Sequence, residues 1–232
     1  NGYLCGNLKL IENVSFKWPH KKFNAYLEHQ IEKNGVEVRL NTEATPEMIK
    51  ECEYDAVIAA IGADPAIPVI PGTDGKNVIP VSGVYGNEDN LEENVVIVGG
   101  GENGVEAGMH LAELGHTVTV LESTHKLARK SIPIHYYVLF RDAWEQLSGF
   151  HFILGATCTE IGDSKVTYID SNGKEQNIDA GSVVIAVGLK HRKDAALEFY
   201  GSADRFYMVG DCRSEGGVQN AVRTGYAAAT EV

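Results

Sequence analysis

Asn94-Val-Val-Ile-Val-Gly-Gly-Gly-Glu-Asn-Gly-Val-Glu-Ala-Gly108, followed by Val118-Thr-Val-Leu-Glu122, limits what this chain can fold into more than any other stretch. Four apolar residues run into Gly99, and glycines then fall as G-x-G-x-x-G at Gly99, Gly101 and Gly104. A helical stretch, a second β-branched strand and an acid at its tip come next. Gly99 lets the chain turn off the strand, Gly101 lets backbone approach a pyrophosphate, and Gly104 lets the helix pack close to the strand. The helix start offers N–H groups and a partial positive charge to the phosphates. Glu122 stands near the roughly 20-residue offset expected for the carboxylate that meets the adenosine ribose. Strand, glycines, helix, strand and acid in that order predict a dinucleotide site, at which Gly100, Glu102 and Asn103 also belong to the turn.

A chain of 232 residues buries a sizeable core, as one large domain or two small ones. No apolar run approaches the roughly 20 residues that span a bilayer, and no signal peptide opens the chain. The net charge of −12, with no basic stripe, argues against a nucleic-acid partner. The cysteines Cys5, Cys52, Cys158 and Cys212 are scattered, with neither C-x-x-C nor metal-ligand spacing, so free thiols in a reducing cytoplasm are expected. The histidines form no ligand pattern either; His110 and His116 are read as structural, and no metal is expected. The chain begins without Met and stops in what reads as a helix, so a fragment of a longer protein is expected.

Helical spacing covers Lys21–Lys33 through Phe23, Tyr26, Leu27 and Ile31, and Val36-Glu-Val-Arg-Leu40 alternates as a strand. Thr45-Pro46 caps a short helix to about Glu51. Asp55-Ala-Val-Ile-Ala-Ala-Ile-Gly62 reads as a buried parallel strand, and a connector with Pro65, Pro68, Pro71 and Pro80 follows. Within the dinucleotide unit, Asn103 to Leu114 is the helix, with Val105, Met109, Leu111 and Ala112 toward the sheet. Pro133 is expected to open a helix through Tyr137, Leu139, Phe140 and Trp144, and Phe150–Leu154 to form a strand. Ser171-Asn172-Gly173 turns a hairpin. Ser182–Gly188 repeats the apolar-strand-then-glycine pattern, and Phe206–Asp211 is a strand ahead of a helix from about Val218. Alternating strands and helices give an α/β fold with a parallel sheet. The paired strand–glycine segments suggest one domain inserted in another: a first segment 1–77, a dinucleotide-binding domain 78–190, and a second segment 191–232.

The arrangement Ala59-Ala60-Ile61-Gly62-x-x-Pro65, G-x-G-x-x-G with Glu106, Ala186-Val187-Gly188 and Val209-Gly210-Asp211 resembles the two-dinucleotide-binding-domain flavoproteins. More narrowly, with the tail Gly216 to Ala229, the chain is similar to the C-terminal half of the dienoyl-CoA reductase, enoate reductase and trimethylamine dehydrogenase group. The resemblance covers nearly the whole chain. It implies a Rossmann-like NAD(P)H domain inserted in an FAD-binding domain, with electrons passing from NAD(P)H to FAD. In the full enzyme they continue through an iron–sulfur cluster to FMN in a barrel, and onto an activated carbon–carbon double bond.

By that resemblance Gly99, Gly101, Gly104 and Glu122 hold the pyridine nucleotide, and Glu106 is either near the nicotinamide or a solvated helix-face acid. Ala60, Gly62, Gly188 and Val218 are expected at the cofactors. Gly210 and Asp211 match the pair that sets a carboxylate on a flavin ribityl hydroxyl, and the helix start near Val218 faces the flavin pyrimidine edge. The FAD domain's own G-x-G-x-x-G is not found before residue 40, so only part of an FAD site is expected here, with the barrel, its FMN and the cluster elsewhere in cis. No redox cysteine pair occurs, which disfavours the disulfide-reductase branch. Glu122 favours NADH over NADPH, although Lys126 and Arg129 stand close. Two other functions stay open: a fragment of an NAD(P)H:flavin or ferredoxin-type reductase, and a nucleotide-binding module without turnover. No catalytic acid or base is assigned.

Overall fold

A computed structural model describes residues 2–129 and 134–232. Its first half runs α1 (Asn7–Leu10), α2 (Trp18–Lys33), α3 (Pro46–Glu51), β1 (Ala56–Ala59), β2 (Ala63–Pro65), β3 (Val78–Pro80), β4 (Asn94–Val98), α4 (Glu102–Glu113) and β5 (Thr117–Glu122). The second half adds α5 (Ile134–Glu145), β6 (Phe150–Leu154), β7 (Thr157–Ile161), β8 (Lys165–Ile169), β9 (Glu175–Asp179), β10 (Ser182–Ile185), β11 (Leu189–His191), α6 (Lys193–Leu197), β12 (Arg205–Met208) and α7 (Gly217–Ala229). The fold is mixed α/β. Pro133, expected to open α5, lies outside the described residues. No helix among the described residues is long and apolar enough to cross a membrane.

The chain forms two compact units. One gathers Tyr3–Glu37 and Pro65–Gly188; the other gathers Val38–Asp64 and Leu189–Val232 with Gly2. The sequence reading put everything up to residue 77 in the first segment of the outer domain, whereas residues 3–37 pack with the dinucleotide unit. The cause is contact far along the chain: Phe16 meets Phe140, and Lys17 pairs with Glu106.

In the larger unit β3, β10, β4, β5 and β6 form a five-stranded sheet in that order, every pair parallel. Val95 to Val98 are all buried, as a strand covered on both faces demands. On one face α4 and α5 bury Val105, Met109, Leu111, Phe140 and Trp144 against Ile97, Val118 and Val120. On the other face Val96, Val98 and Leu121 pack with Cys158, Val166 and Tyr168 of the antiparallel β7–β8–β9 sheet. The β8–β9 turn is the hairpin read from Ser171-Asn172-Gly173, with Gly173 at φ 77°.

The smaller unit is thinly built. Its sheets are two-stranded, β1 beside β12 in parallel and β2 beside β11, and its buried hydrophobic cluster is Ala59, Ala196 and Cys212, with Ile61, Phe206 and Met208 partly buried against it. Thr45 caps α3, its Oγ accepting the Met48 N–H at 3.2 Å. Residues 36–40 form no strand, contrary to their alternation. Val36, Val38 and Leu40 stand 55%, 40% and 44% exposed, because alternation makes a strand only beside a partner with a face to bury. Helix α2 starts three residues earlier than expected, and its buried residue is Asn24, which donates to Leu8 O and Glu12 Oε2 at 3.1 Å each.

Candidate functional site

The glycine turn leaves β4 where strand order reverses, with β10 on one side and β5 on the other, the place where open α/β sheets hold ligands. Gly99 takes φ 108°, and a Cβ there would lie 2.5 Å from Ala186 O. A Cβ on Gly104 would lie 2.0 Å from Gly99 O, so α4 sits against the turn at a distance only glycine allows. Around Gly101 a Cβ would meet nothing within 4 Å. Each of the three glycines therefore has the surroundings its place in the motif requires: a turn, open space, and close packing.

The first hydrogen bond of α4 runs from Val105 N–H to Gly101 O at 3.0 Å, and Gly101 brings no side-chain cap. The amides of Asn103 and Gly104 thus have no acceptor within the helix and lie at its positive end, beside Glu102. Open space at Gly101 and these amides fit a pyrophosphate.

Glu122 ends β5 and is only 8% exposed. Its Oε2 accepts the Gly100 N–H at 2.7 Å and its Oε1 the Thr124 N–H at 2.7 Å. The sequence placed this acid beside the turn for a ribose; the structure also bonds it to the turn itself.

Glu106 is not a solvated acid. It is 3% exposed and ion-paired with Lys17, whose side chain is also largely buried. Four residues on, His110 Nε2 meets Glu88 Oε1 at 2.9 Å, so its structural reading holds. Glu88 is held below the usual carboxylate range: burial raises it, but hydrogen bonds from His110 and from the backbone amides of Glu88 and Gly86 outweigh that. Tyr85 lies tilted against the His110 ring at 5.8 Å, and burial pushes its phenol up, with Glu106 and Glu88 adding to the rise. This face of α4 is therefore a polar seam covered by residues 15–17 and 85–88. Sequence periodicity could show only the sheet-facing stripe.

The smaller unit collects the other expected residues. Ala60 follows β1, and Gly62 turns the chain with φ 75°. Gly210 has φ 63° and donates its N–H to Thr224 Oγ1 at 2.9 Å, which ties the end of β12 to α7. Asp211 follows, with Oδ1 buried and without a hydrogen-bond partner. Burial pushes its carboxyl up, Glu215 adds to that, and His191 and the Gly216 amide pull the other way. A buried acceptor lacking a donor fits a hydroxyl-bearing ligand such as a flavin ribityl chain. Val218 lies in the first turn of α7, which opens at Gly217 with φ 58°. Gly188, at φ 131°, belongs to the larger unit, two residues beyond the Ala186 that walls Gly99. The described residues contain no group of three or more His, Cys, Asp or Glu suited to a metal ion, and the four cysteines are free.

Comparison with known proteins agrees with this geometry. The family model for pyridine nucleotide-disulphide oxidoreductases matches residues 45–228. The chain is 30% identical over 239 residues to an NADH oxidase of Thermoanaerobacter brockii, covering 99% of this chain and 36% of that protein. It is 29% identical over 236 residues to a cinnamate reductase of Clostridium sporogenes, covering 100% of this chain and 35% of that protein. A solved 2-naphthoyl-CoA reductase complexed with 2-naphthoyl-CoA superposes with a TM-score of 0.90 at 30% identity, over 98% of this chain and 34% of that one. The chain spans about a third of the length of these relatives. The family model matched over residues 45–228, in keeping with the Rossmann-like turn and the buried strand-end acid Glu122, makes the chain a member of the pyridine nucleotide-disulphide oxidoreductases, a family that implies NAD(P)H and FAD.

Proposed function

We propose that this chain is the NAD(P)H-binding and FAD-facing part of a longer ene-type reductase, one that reduces an enoate or enoyl-type double bond. The observation that carries the reading is the glycine turn: open at Gly101, closed at Gly99 and Gly104, with the Asn103 and Gly104 amides at its mouth. The larger unit, with Gly99, Gly100, Gly101, Glu102, Asn103, Gly104 and Glu122, holds the pyridine nucleotide. Ala60, Gly62, Gly210, Asp211 and Val218 hold part of an FAD. Similarity to a cinnamate reductase and to a 2-naphthoyl-CoA reductase supports a conjugated, activated double bond as the final acceptor. FMN and an iron–sulfur cluster belong, in this reading, to a barrel segment of the longer protein.

The chain's own residues bind and orient. Amides at the start of α4 and its dipole take the pyrophosphate. The Asp211 carboxylate accepts a ribityl hydroxyl, and the start of α7 sets its positive end toward the electron-rich edge of the flavin. The bound cofactors supply the hydride chemistry, so no acid or base of this chain is needed for that step. Glu122 accepts ribose hydroxyls and repels a 2′-phosphate, which favours NADH over NADPH.

The test is an absorbance spectrum of the chain incubated with FAD, desalted, then treated anaerobically with NADH. A retained flavin band that bleaches supports the reading. Retained flavin that NADH leaves oxidised refutes hydride transfer within these two units. The thin core of the smaller unit favours a second outcome, in which NADH binds but flavin is lost on desalting. That result would make the chain a pyridine-nucleotide module whose flavin site is completed by the rest of the longer protein.

A further inference from the structure

Gly99, Gly100 and Gly101 are three glycines in a row at the point where the fold most needs a fixed shape. Ordering one residue's backbone costs roughly 1–2 kcal/mol, and glycine pays more than any other residue. A free run of three would order only on binding, at the expense of affinity. In this structure the run is held from outside. The Gly100 N–H donates to Glu122 Oε2 at 2.7 Å in a buried setting, and the Gly100 carbonyl accepts the Ala128 N–H at 2.7 Å. Gly99 N–H donates to Leu121 O at 2.9 Å. A Cβ on Gly100 would lie 2.5 Å from Leu127 Cδ2 and 2.8 Å from Glu122 Cβ, so this backbone is also packed against. Ala128 is 1% exposed and adopts φ 47°, a left-handed conformation that costs a non-glycine residue about 1 kcal/mol. Strain at a buried residue persists where its surroundings require it, and here the Ala128 amide bonds the glycine turn.

We propose that Glu122 is a positioning residue for the pyrophosphate turn. Its carboxylate, with the Ala128 amide, clamps Gly100 in the ligand-accepting shape before any dinucleotide arrives. This deepens the dinucleotide reading above and rests on it. The role is separate from accepting a ribose hydroxyl: a carboxylate offers about four lone-pair sites, of which the Gly100 and Thr124 amides take two and the Ser123 hydroxyl, at 3.5 Å, a third. With the Gly100 amide turned to Glu122, the amides at the start of α4 are left to face the phosphates.

The two roles separate in one experiment: titration of the chain, wild type and Glu122→Gln, with NADH and with its 2′,3′-dideoxyadenosine analogue, the deoxy ligand, which lacks both hydroxyls of the adenosine ribose. Glutamine must turn its amide group toward one of the two N–H donors and so loses a charge-assisted bond. The clamp predicts that Glu122→Gln weakens the deoxy ligand too, by about tenfold, with any loss of the ribose contact added for NADH alone. A penalty confined to NADH and absent with the deoxy ligand overturns the clamp and leaves an ordinary ribose contact. If the wild type binds neither ligand, the dinucleotide reading itself falls, and the clamp with it. Amide hydrogen exchange in the ligand-free wild type needs no variant. Protection of Gly100 supports the clamp; exchange at the rate of an exposed glycine overturns it.

Discussion

Two glycines three positions apart respond oppositely to the same methyl group. On Gly104 it would meet backbone, Gly99 O at 2.0 Å, which cannot move aside without displacing the turn. Gly104→Ala is expected to cost about 1–3 kcal/mol in denaturant unfolding and to abolish NADH binding. On Gly101, at φ −65°, the methyl meets nothing. Gly101→Ala should fold with unchanged stability yet bind NADH at least tenfold more weakly, because the methyl fills the approach to the pyrophosphate. Equal NADH affinity in Gly101→Ala and wild type would show that the open space is not where phosphate sits. Asp211 gives the pH dependence. Its carboxyl is raised in the folded protein, so the unfolded chain sheds its proton first and stability falls as pH climbs from the ordinary carboxylate value to the raised one. A hydroxyl donated onto Oδ1 favours the ionised form. FAD binding should therefore release a proton in that window and weaken as pH falls through it. Calorimetry in buffers of different ionisation enthalpy reads the release, and Asp211→Asn should abolish it.

At the scale of elements, the seam on α4 makes the N-terminal segment part of the nucleotide unit. Removing one partner of a buried ion pair leaves the other charge stranded, a loss of about 3 kcal/mol. Lys17→Met should lower the unfolding free energy of the larger unit by that much. Lys17→Met with Glu106→Met should recover most of it, which chemical denaturation of the pair of variants will decide. The same elements show what a sequence displays and what it hides. Residues 94–122 are legible because strand, turn, helix and acid are local patterns, and β4, α4 and β5 form where the spacing predicts them, with Gly99 at the turn and Glu122 ending β5. The Lys17–Glu106 pair joins positions 89 apart, and nothing local signals it. Val36–Leu40 alternates as a strand should, but pairing is a property of two segments. Strand β7 escaped notice for the reverse reason: its register shifts between Cys158 and Glu160, which breaks the alternation that would have revealed it. The orphaned Oδ1 of Asp211 likewise becomes visible only once the surrounding chain buries it.

At the scale of the molecule, the two units differ in how much they bury. The larger has two extensive clusters about a five-stranded sheet; the smaller has, among the described residues, five buried hydrophobic ones, Ala59, Ala196, Val209, Cys212 and Ala228, and only two-stranded sheets. A parallel pair so thinly covered is marginal in water. Heating should give two transitions, with β1, β12 and α7 exchanging their amide hydrogens well before β4, β5 and β10. Saturating NADH should raise only the later transition, since a ligand stabilises the unit that holds it. A single transition moved as a whole by NADH would mean that the units unfold together.

Ala66 N–H bonds to Gly188 O at 2.9 Å, and β2 pairs with β11 beside them, so the two ends of the 65–188 segment lie together. For an unfolded chain, joining β1 to β12 means closing a loop well over a hundred residues long. Once the larger unit has folded, the free part of that loop shrinks to residues 60–64 and 189–204. The entropy of closure falls by about 1.5 kcal/mol, at roughly 0.6 kcal/mol for each halving of length. Assembly of the nucleotide unit therefore shortens the closure that joins β1 to β12, so that stability in the larger unit lowers the entropy cost of forming the smaller one.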